Sequence, residues 1–116
     1  MKIGHTEIFV KDPMQSKDFY TDILGFEVDE IQGDKYVWLT LDDNVFLLRP
    51  GNNNLLVDIY KDTNSAIVLY TDDLDRTRDE LKAKGLKFKG TDGSDRCLTF
   101  TDPDGNWFQL VNPVEH

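Results

Sequence analysis

Apolar and polar residues alternate from Ile3 to Val10, the period of a half-buried strand. Asp12-Pro13 then supplies a helix N-cap with proline at the first helical position. Phe19, Tyr20, Ile23 and Leu24 recur at helical spacing, and Gly25 follows where a helix end favours positive φ, so a helix is expected to run to about Leu24. Strand-like runs come next at Phe26 to Ile31, Lys35 to Leu41 and Asn44 to Arg49, separated by Gln32-Gly33-Asp34 and Asp42-Asp43 turn signals. The predicted order is β-α-β-β-β.

A polar stretch at Pro50 to Asn54 and an apolar one at Leu55 to Tyr60 lead through Lys61-Asp62-Thr63-Asn64 into a second series. Ala66 to Tyr70 reads as a strand, and Asp72 or Asp73 as the cap of a helix carrying Leu74, Thr77 and Leu81 that ends at Gly85. Leu86 to Lys89, Arg96 to Thr101 and Trp107 to Val111 read as strands. The order β-α-β-β-β is thus repeated. Asn44-Val45-Phe46-Leu47-Leu48 and Asn106-Trp107-Phe108-Gln109-Leu110 share Asn-x-Phe-x-Leu at the same place in each series, which favours duplication.

The chain of 116 residues is expected to form a single domain, with one module over about 1–50, a linker over about 50–64 and a second module over about 65–114. Lys and Arg number 13 against 22 Asp and Glu, a net charge of −9, and such a field repels phosphate backbones and anionic lipid. Nucleic acid and membrane are therefore not expected as partners. The start at Met1 has no charged-then-apolar leader, and the single Cys97 offers neither a disulfide nor a cysteine metal cage, so a cytoplasmic location is expected. Cys97 itself reads as a half-buried packing thiol without a histidine in a nucleophilic arrangement.

The opening strand with His5, the helix with Phe19-Tyr20 and then Leu24-Gly25-Phe26, and the closing Phe100-Thr101-Asp102-Pro103-Asp104-Gly105-Asn106 resemble the hallmarks of the vicinal oxygen chelate superfamily, which includes glyoxalase I, the bleomycin resistance proteins and extradiol dioxygenases. The resemblance covers nearly the whole chain and implies an α+β fold: two tandem βαβββ modules forming a half-barrel, helices outside, a ligand cavity inside, and a homodimer. Strand parity then puts His5, Glu7 and Phe9 on the cavity side, with Ile8 and Val10 beneath the helix. By the same parity Trp38, Val45, Leu47, Arg49, Ala66, Val68, Tyr70, Trp107 and Gln109 are cavity candidates, and Phe108 and Leu110 are core.

Metal-dependent members of the superfamily take one metal ligand from the first and one from the last strand of each module. Carried onto this chain, those positions are His5, Leu47, Ala66 and Gln109, of which only His5 is a strong ligand. No metal or other cofactor is expected. Glu7 would assist only if the first strand were bulged, and no carboxylate partner for His5 stands where the family spacing requires one. Extradiol chemistry needs two histidines and a carboxylate on iron, and the terminal His116 does not supply the second.

Two functions remain open. One is a metal-free binding protein similar to the bleomycin resistance proteins, small acidic dimers that sequester a cationic, partly aromatic drug. Trp38, Trp107, Phe9 and Tyr70 would offer stacking faces, although each tryptophan equally suits packing at a dimer interface. The other is a divergent glyoxalase-like lyase or isomerase acting on a small carbonyl compound. There His5 would serve as general base or metal ligand, and Gln109 or Arg49 would hold an oxyanion.

Overall fold

The computed structural model describes residues 1–52 and 56–115, and its chain divides into two compact units, 1–54 and 55–116. Asn53, Asn54 and Leu55 of the expected linker, and His116, lie outside the described residues.

In the first unit, strand β1 (Thr6–Val10) leads to helix α1 (Pro13–Asp18), and strands β2 (Glu27–Gln32), β3 (Tyr36–Leu41) and β4 (Asn44–Pro50) complete a sheet ordered β1-β4-β3-β2. Strand β1 pairs parallel to β4 in unbroken register from Thr6↔Phe46 to Val10↔Pro50. The other pairings in the sheet are antiparallel. The Asp12 carboxylate accepts from the backbone N–H groups of Met14 at 3.1 Å and Gln15 at 3.4 Å, satisfying two of the donors that a helix start leaves orphaned.

The helix does not stay α-helical to Leu24. From Phe19 to Ile23 it widens to a π-helical turn, with Leu24 N–H donating to the Phe19 carbonyl, before Gly25 at φ 79° releases the chain. The widened turn accompanies a fully buried Tyr20, whose ring meets Phe19 and Phe26 edge-on at 5.5 and 5.4 Å. Ile8, Val10, Val37, Leu39, Phe46 and Leu48 are buried on the sheet, and α1 packs over β3 and β4. Removing a side chain of this size from such a site costs about 2 to 5 kcal/mol.

The second unit repeats the plan. Strand β5 (Ile67–Tyr70), helix α2 (Leu74–Ala83), and strands β6 (Thr91–Asp92), β7 (Ser94–Thr101) and β8 (Trp107–Val111) give the order β5-β8-β7-β6, again with the first strand parallel to the last. The shared Asn-x-Phe-x-Leu motif falls on β4 and β8, and Phe46, Leu48, Phe108 and Leu110 are all buried. Asp73, of the two candidates, caps α2 through Arg76 N–H, and Gly85 at φ 104° ends it.

The strand expected at Leu86 to Lys89 is not one. Gly90 and Gly93 both take positive φ, and the register of β6 against β7 slips between Thr91 and Asp92, so the ladder is reduced to two residues. Leu86 is buried and Phe88 meets Phe100 edge-on, so the side chains pack as a strand would while the backbone makes only scattered bonds, such as Lys89 N–H to the Thr99 carbonyl. Cys97 is buried rather than half-buried, with its Sγ 3.6 Å from Ser94 Oγ.

Between β7 and β8 the Asp102 side chain is 2% exposed. One carboxylate oxygen accepts from Asp104 N–H at 2.9 Å and Asn106 N–H at 2.8 Å, and the other accepts from Asn106 Nδ2 at 2.8 Å. The carboxylate thus serves as the turn's acceptor, and Gly105 at φ 86° lets the chain pass Leu56, whose side chain fills the place a Cβ would need. Asp102→Ala strands those donors and is expected to cost about 2 to 3 kcal/mol in urea unfolding, with Asp102→Asn, which keeps one oxygen acceptor, costing less.

Arg96 on β7 reaches Asp75 of α2 at 2.7 Å and Glu115 at 2.9 Å, tying helix, sheet and C-terminal turn together. Its hydrogen bond, ahead of its charge, holds the Asp75 carboxyl below its ordinary 3.8. Because the folded value is the lowered one, this contribution to stability is present above pH 3.8 and is lost as pH falls through the folded value. Arg96→Gln is expected to lower Tm at pH 6 while narrowing the further drop between pH 5 and about pH 3.

Candidate functional site

The register of the first sheet decides which side chains share its face opposite α1. Glu7 aligns with Leu47, Leu47 with Trp38, Phe9 with Arg49, and Val45 with Thr40. Glu7, Phe9, Trp38, Val45, Leu47 and Arg49 therefore lie on one face, and His5, immediately before β1, joins them through Glu7 and Trp38. Strand β1 carries no bulge.

His5 does have a carboxylate partner: its Nε2 lies 2.9 Å from Glu7 Oε2. Family spacing does not reveal it, because the partner is only two residues away, on β1 just after His5. The other oxygen of Glu7 accepts from Arg49 Nη1 at 3.0 Å. Hydrogen bonds from His5 first and Arg49 second hold the Glu7 carboxyl below its ordinary 4.5. The His5 ring stands edge-on to Trp38 at 4.8 Å, and Trp38 Nε1 donates to Gln32 at 3.1 Å. The Arg49 guanidinium lies 5.3 Å from the Phe9 ring centre and 5.8 Å from that of Tyr36. Tyr36, two residues from Trp38 on β3, satisfies the same parity rule and was not among the candidates.

Phe9 is positioned by Gly51, where an added Cβ would stand 2.7 Å from the Phe9 Cβ. Only a residue without a side chain lets the segment after β4 pass so close.

The corresponding face of the second sheet carries Val68, Tyr70, Trp107 and Gln109, with Val68 aligned on Gln109 and Gln109 on Thr99. Val68 and Tyr70 are exposed, whereas Trp107 is 3% exposed. Tyr60 meets the Trp107 ring edge-on at 5.9 Å, Lys89 Nζ sits 6.0 Å from its centre, and the Trp107 Nε1 is buried with no hydrogen-bond partner among the described residues. Gln109 Nε2 donates to Asp92 at 3.3 Å. Burial first, and the charge of Asp92 second, raise the Tyr60 hydroxyl above its ordinary 10.0. Ala66 lines a cavity of about 280 Å³ with Tyr60, Lys61, Thr63, Asn64, Ser65 and Asp92. Tyr60 and Asp92 escape sequence reading because they lie on a connecting turn and a two-residue strand, where no periodicity assigns a face.

The donor set does not fit a divalent metal. Leu47 and Ala66 bring no ligating atom, Gln109 brings a neutral amide, and among the described residues no three His, Cys, Asp or Glu side chains are grouped to hold an ion.

The sequence pattern of the Glyoxalase/Bleomycin resistance protein/Dioxygenase superfamily matches residues 2–110, and the chain belongs to that superfamily. Over 125 residues it is 30% identical to the uncharacterized protein YurT of Bacillus subtilis (strain 168), covering 96% of this chain and 98% of YurT. The crystal structure of TnmS3, an antibiotic binding protein from Streptomyces sp. CB03234, superposes with a TM-score of 0.71 at 25% identity, covering 97% of this chain and 98% of that one. Lactoylglutathione lyase from Agrobacterium tumefaciens superposes with a TM-score of 0.72 at 18% identity, over 97% of this chain and 93% of that one, a likeness of fold.

Gly51→Ala is expected to displace the Phe9 ring and cost about 1 to 3 kcal/mol. Chemical denaturation and the Phe9 ring resonances measure the two effects.

Proposed function

We propose that this chain is a small-molecule binding protein that sequesters an aromatic ligand without a bound metal, working as a cytoplasmic homodimer. One observation carries the reading. His5, the one strong donor among the four family metal positions, is bonded through Nε2 to Glu7 on a face that also presents Phe9, Tyr36 and Trp38. Aromatic faces gain stacking energy from a flat ligand, about 0.5 to 1.5 kcal/mol per well-placed pair beyond the area buried. The likeness to TnmS3, an antibiotic binding protein, supports the same reading. The proposed ligand contacts, taken on the first unit by itself, are His5, Glu7, Phe9, Trp38, Leu47 and Arg49.

The His5–Glu7 bond also favours a second reading, a lyase or isomerase for a small carbonyl compound. A carboxylate on one ring nitrogen orients the imidazole and leaves Nδ1 to take a proton. In that case Arg49 or Gln109 would hold the oxyanion.

Elemental analysis of protein purified without chelator, with thermal shifts in nickel, zinc and manganese, separates the readings when paired with a turnover assay on methylglyoxal and glutathione. The expected outcome is no stoichiometric metal, no metal-dependent rise in Tm and no turnover, with stabilisation by polycyclic aromatic ligands that Trp38→Ala weakens about tenfold, or 1.4 kcal/mol. Turnover abolished by His5→Gln would put the enzyme reading first.

A further inference from the structure

The exposed face of the first sheet carries Glu27 beside Thr40 and, nearer its aromatic rings, His5, Glu7, Glu30 and Arg49. Glu7 gives one oxygen to His5 and the other to Arg49. Glu30 accepts from the Gln32 amide, which in turn accepts from Trp38 Nε1. Both of these carboxylates are thus engaged by partners on their own sheet.

Arg49 is not spent in the same way. A guanidinium has five N–H donors, and the strongest pairing with a carboxylate uses two adjacent ones at once. Glu7 offers it only one oxygen, because its second belongs to His5, and the bond falls on Nη1 alone. Among the described residues Nε is buried with no partner and Nη2, which is not buried, makes no hydrogen bond. The Arg49 side chain is still 37% exposed, and Phe9 and Tyr36, whose rings lie beside it, are 43% and 37% exposed. An orphaned charged donor beside half-open aromatic rings is the arrangement an acceptor-bearing flat ligand completes.

We propose that this face takes a planar aromatic ligand through an oxygen acceptor, a carboxylate or a conjugated carbonyl, bound on the unspent Nη2 of Arg49, with the ring among Phe9, Tyr36 and Trp38. The inference rests on the small-molecule-binding reading above and departs from the cationic ligand that the resemblance to the bleomycin resistance proteins implies. The net charge of −9 acts at range and is screened over about 8 Å at physiological ionic strength, whereas Arg49 acts in contact. A cation arriving beside the aromatic rings meets the Arg49 charge, and the two carboxylates nearest them, Glu7 and Glu30, already have partners. Glu7 is then a positioning residue: it aims Arg49 and limits how much of the guanidinium charge is free.

The test is calorimetric titration of the full-length protein with three probes sharing one ring system, naphthalene carboxylate, naphthyl methyl ketone and naphthylmethylammonium, while the Trp38 indole N–H resonance reports contact. The carboxylate and the ketone are expected to bind and to shift the Trp38 signal, and the ammonium to bind more weakly. Arg49→Met is expected to weaken the carboxylate about tenfold or more. Glu7→Gln, which leaves the fold's packing intact and frees the guanidinium, is expected to tighten it several-fold. That opposite response is one a merely structural role for Arg49 and Glu7 would not produce. Preference for the ammonium, lost in Glu7→Gln, overturns the inference and leaves the binding reading standing. Carboxylate binding indifferent to both substitutions overturns it as well, and absence of binding by all three probes overturns both.

Discussion

In each unit the parallel pairing of the first strand with the last fixes everything that follows. A parallel neighbour requires a crossover, and the crossover here is a helix with further strands behind it, so one face of each sheet is covered by its own unit's core. With a side-chain period of two, burying Ile8, Val10, Leu48 and Val37 on one face obliges Glu7, Phe9, Leu47, Arg49 and Trp38 to the other. The chemistry of the first unit is therefore a by-product of its core. A one-residue slip of β1 against β4 would bury Glu7 without a partner, a cost that the Ile8 and Val10 contacts make unnecessary.

Much of this was legible in the chain. The repeated Asn-x-Phe-x-Leu motif located the last strand of both units, and the Asp12-Pro13 and Asp73 signals located both helices, because capping chemistry and strand parity are local rules. The failures came where local rules compete. Leu86 to Lys89 has the side-chain pattern of a strand, and its packing honours that pattern, but Gly90 and Gly93 break the backbone ladder beyond it. The end of the first helix is a widened turn that holds Tyr20 wholly in the core, which no helical-spacing argument anticipates. At the site, parity grouped His5, Glu7 and Arg49 on one side but did not give the His5–Glu7 bond, which is set by rotamers rather than by register. Tyr60 and Asp92 had no periodicity to announce them.

The two faces differ in kind although they arise from one plan. In the first unit the aromatic rings are half open and the polar groups form a chain of bonds ending at Arg49. In the second, Trp107 is enclosed by Tyr60 and Lys89, and Gln109 is held by Asp92. Duplication thus preserved the sheet and the Phe and Leu positions of the core, while the residues of opposite parity were free to diverge. That freedom accounts for a fold shared with an antibiotic binding protein and a lyase at 25% and 18% identity.

Strand β2 gives the acidity of the chain a place. It is the outer strand of its sheet, every one of its residues is exposed, and it carries Val28 and Ile31, both β-branched and apolar. Such a strand would ordinarily recruit a second one along its unpaired edge. Glu27, Asp29 and Glu30 sit among those apolar residues, so an identical strand laid antiparallel alongside would bring carboxylates against carboxylates within a few ångströms. Part of the net negative charge thus sits where it opposes edge-to-edge pairing of the open β-structure the chain displays to water.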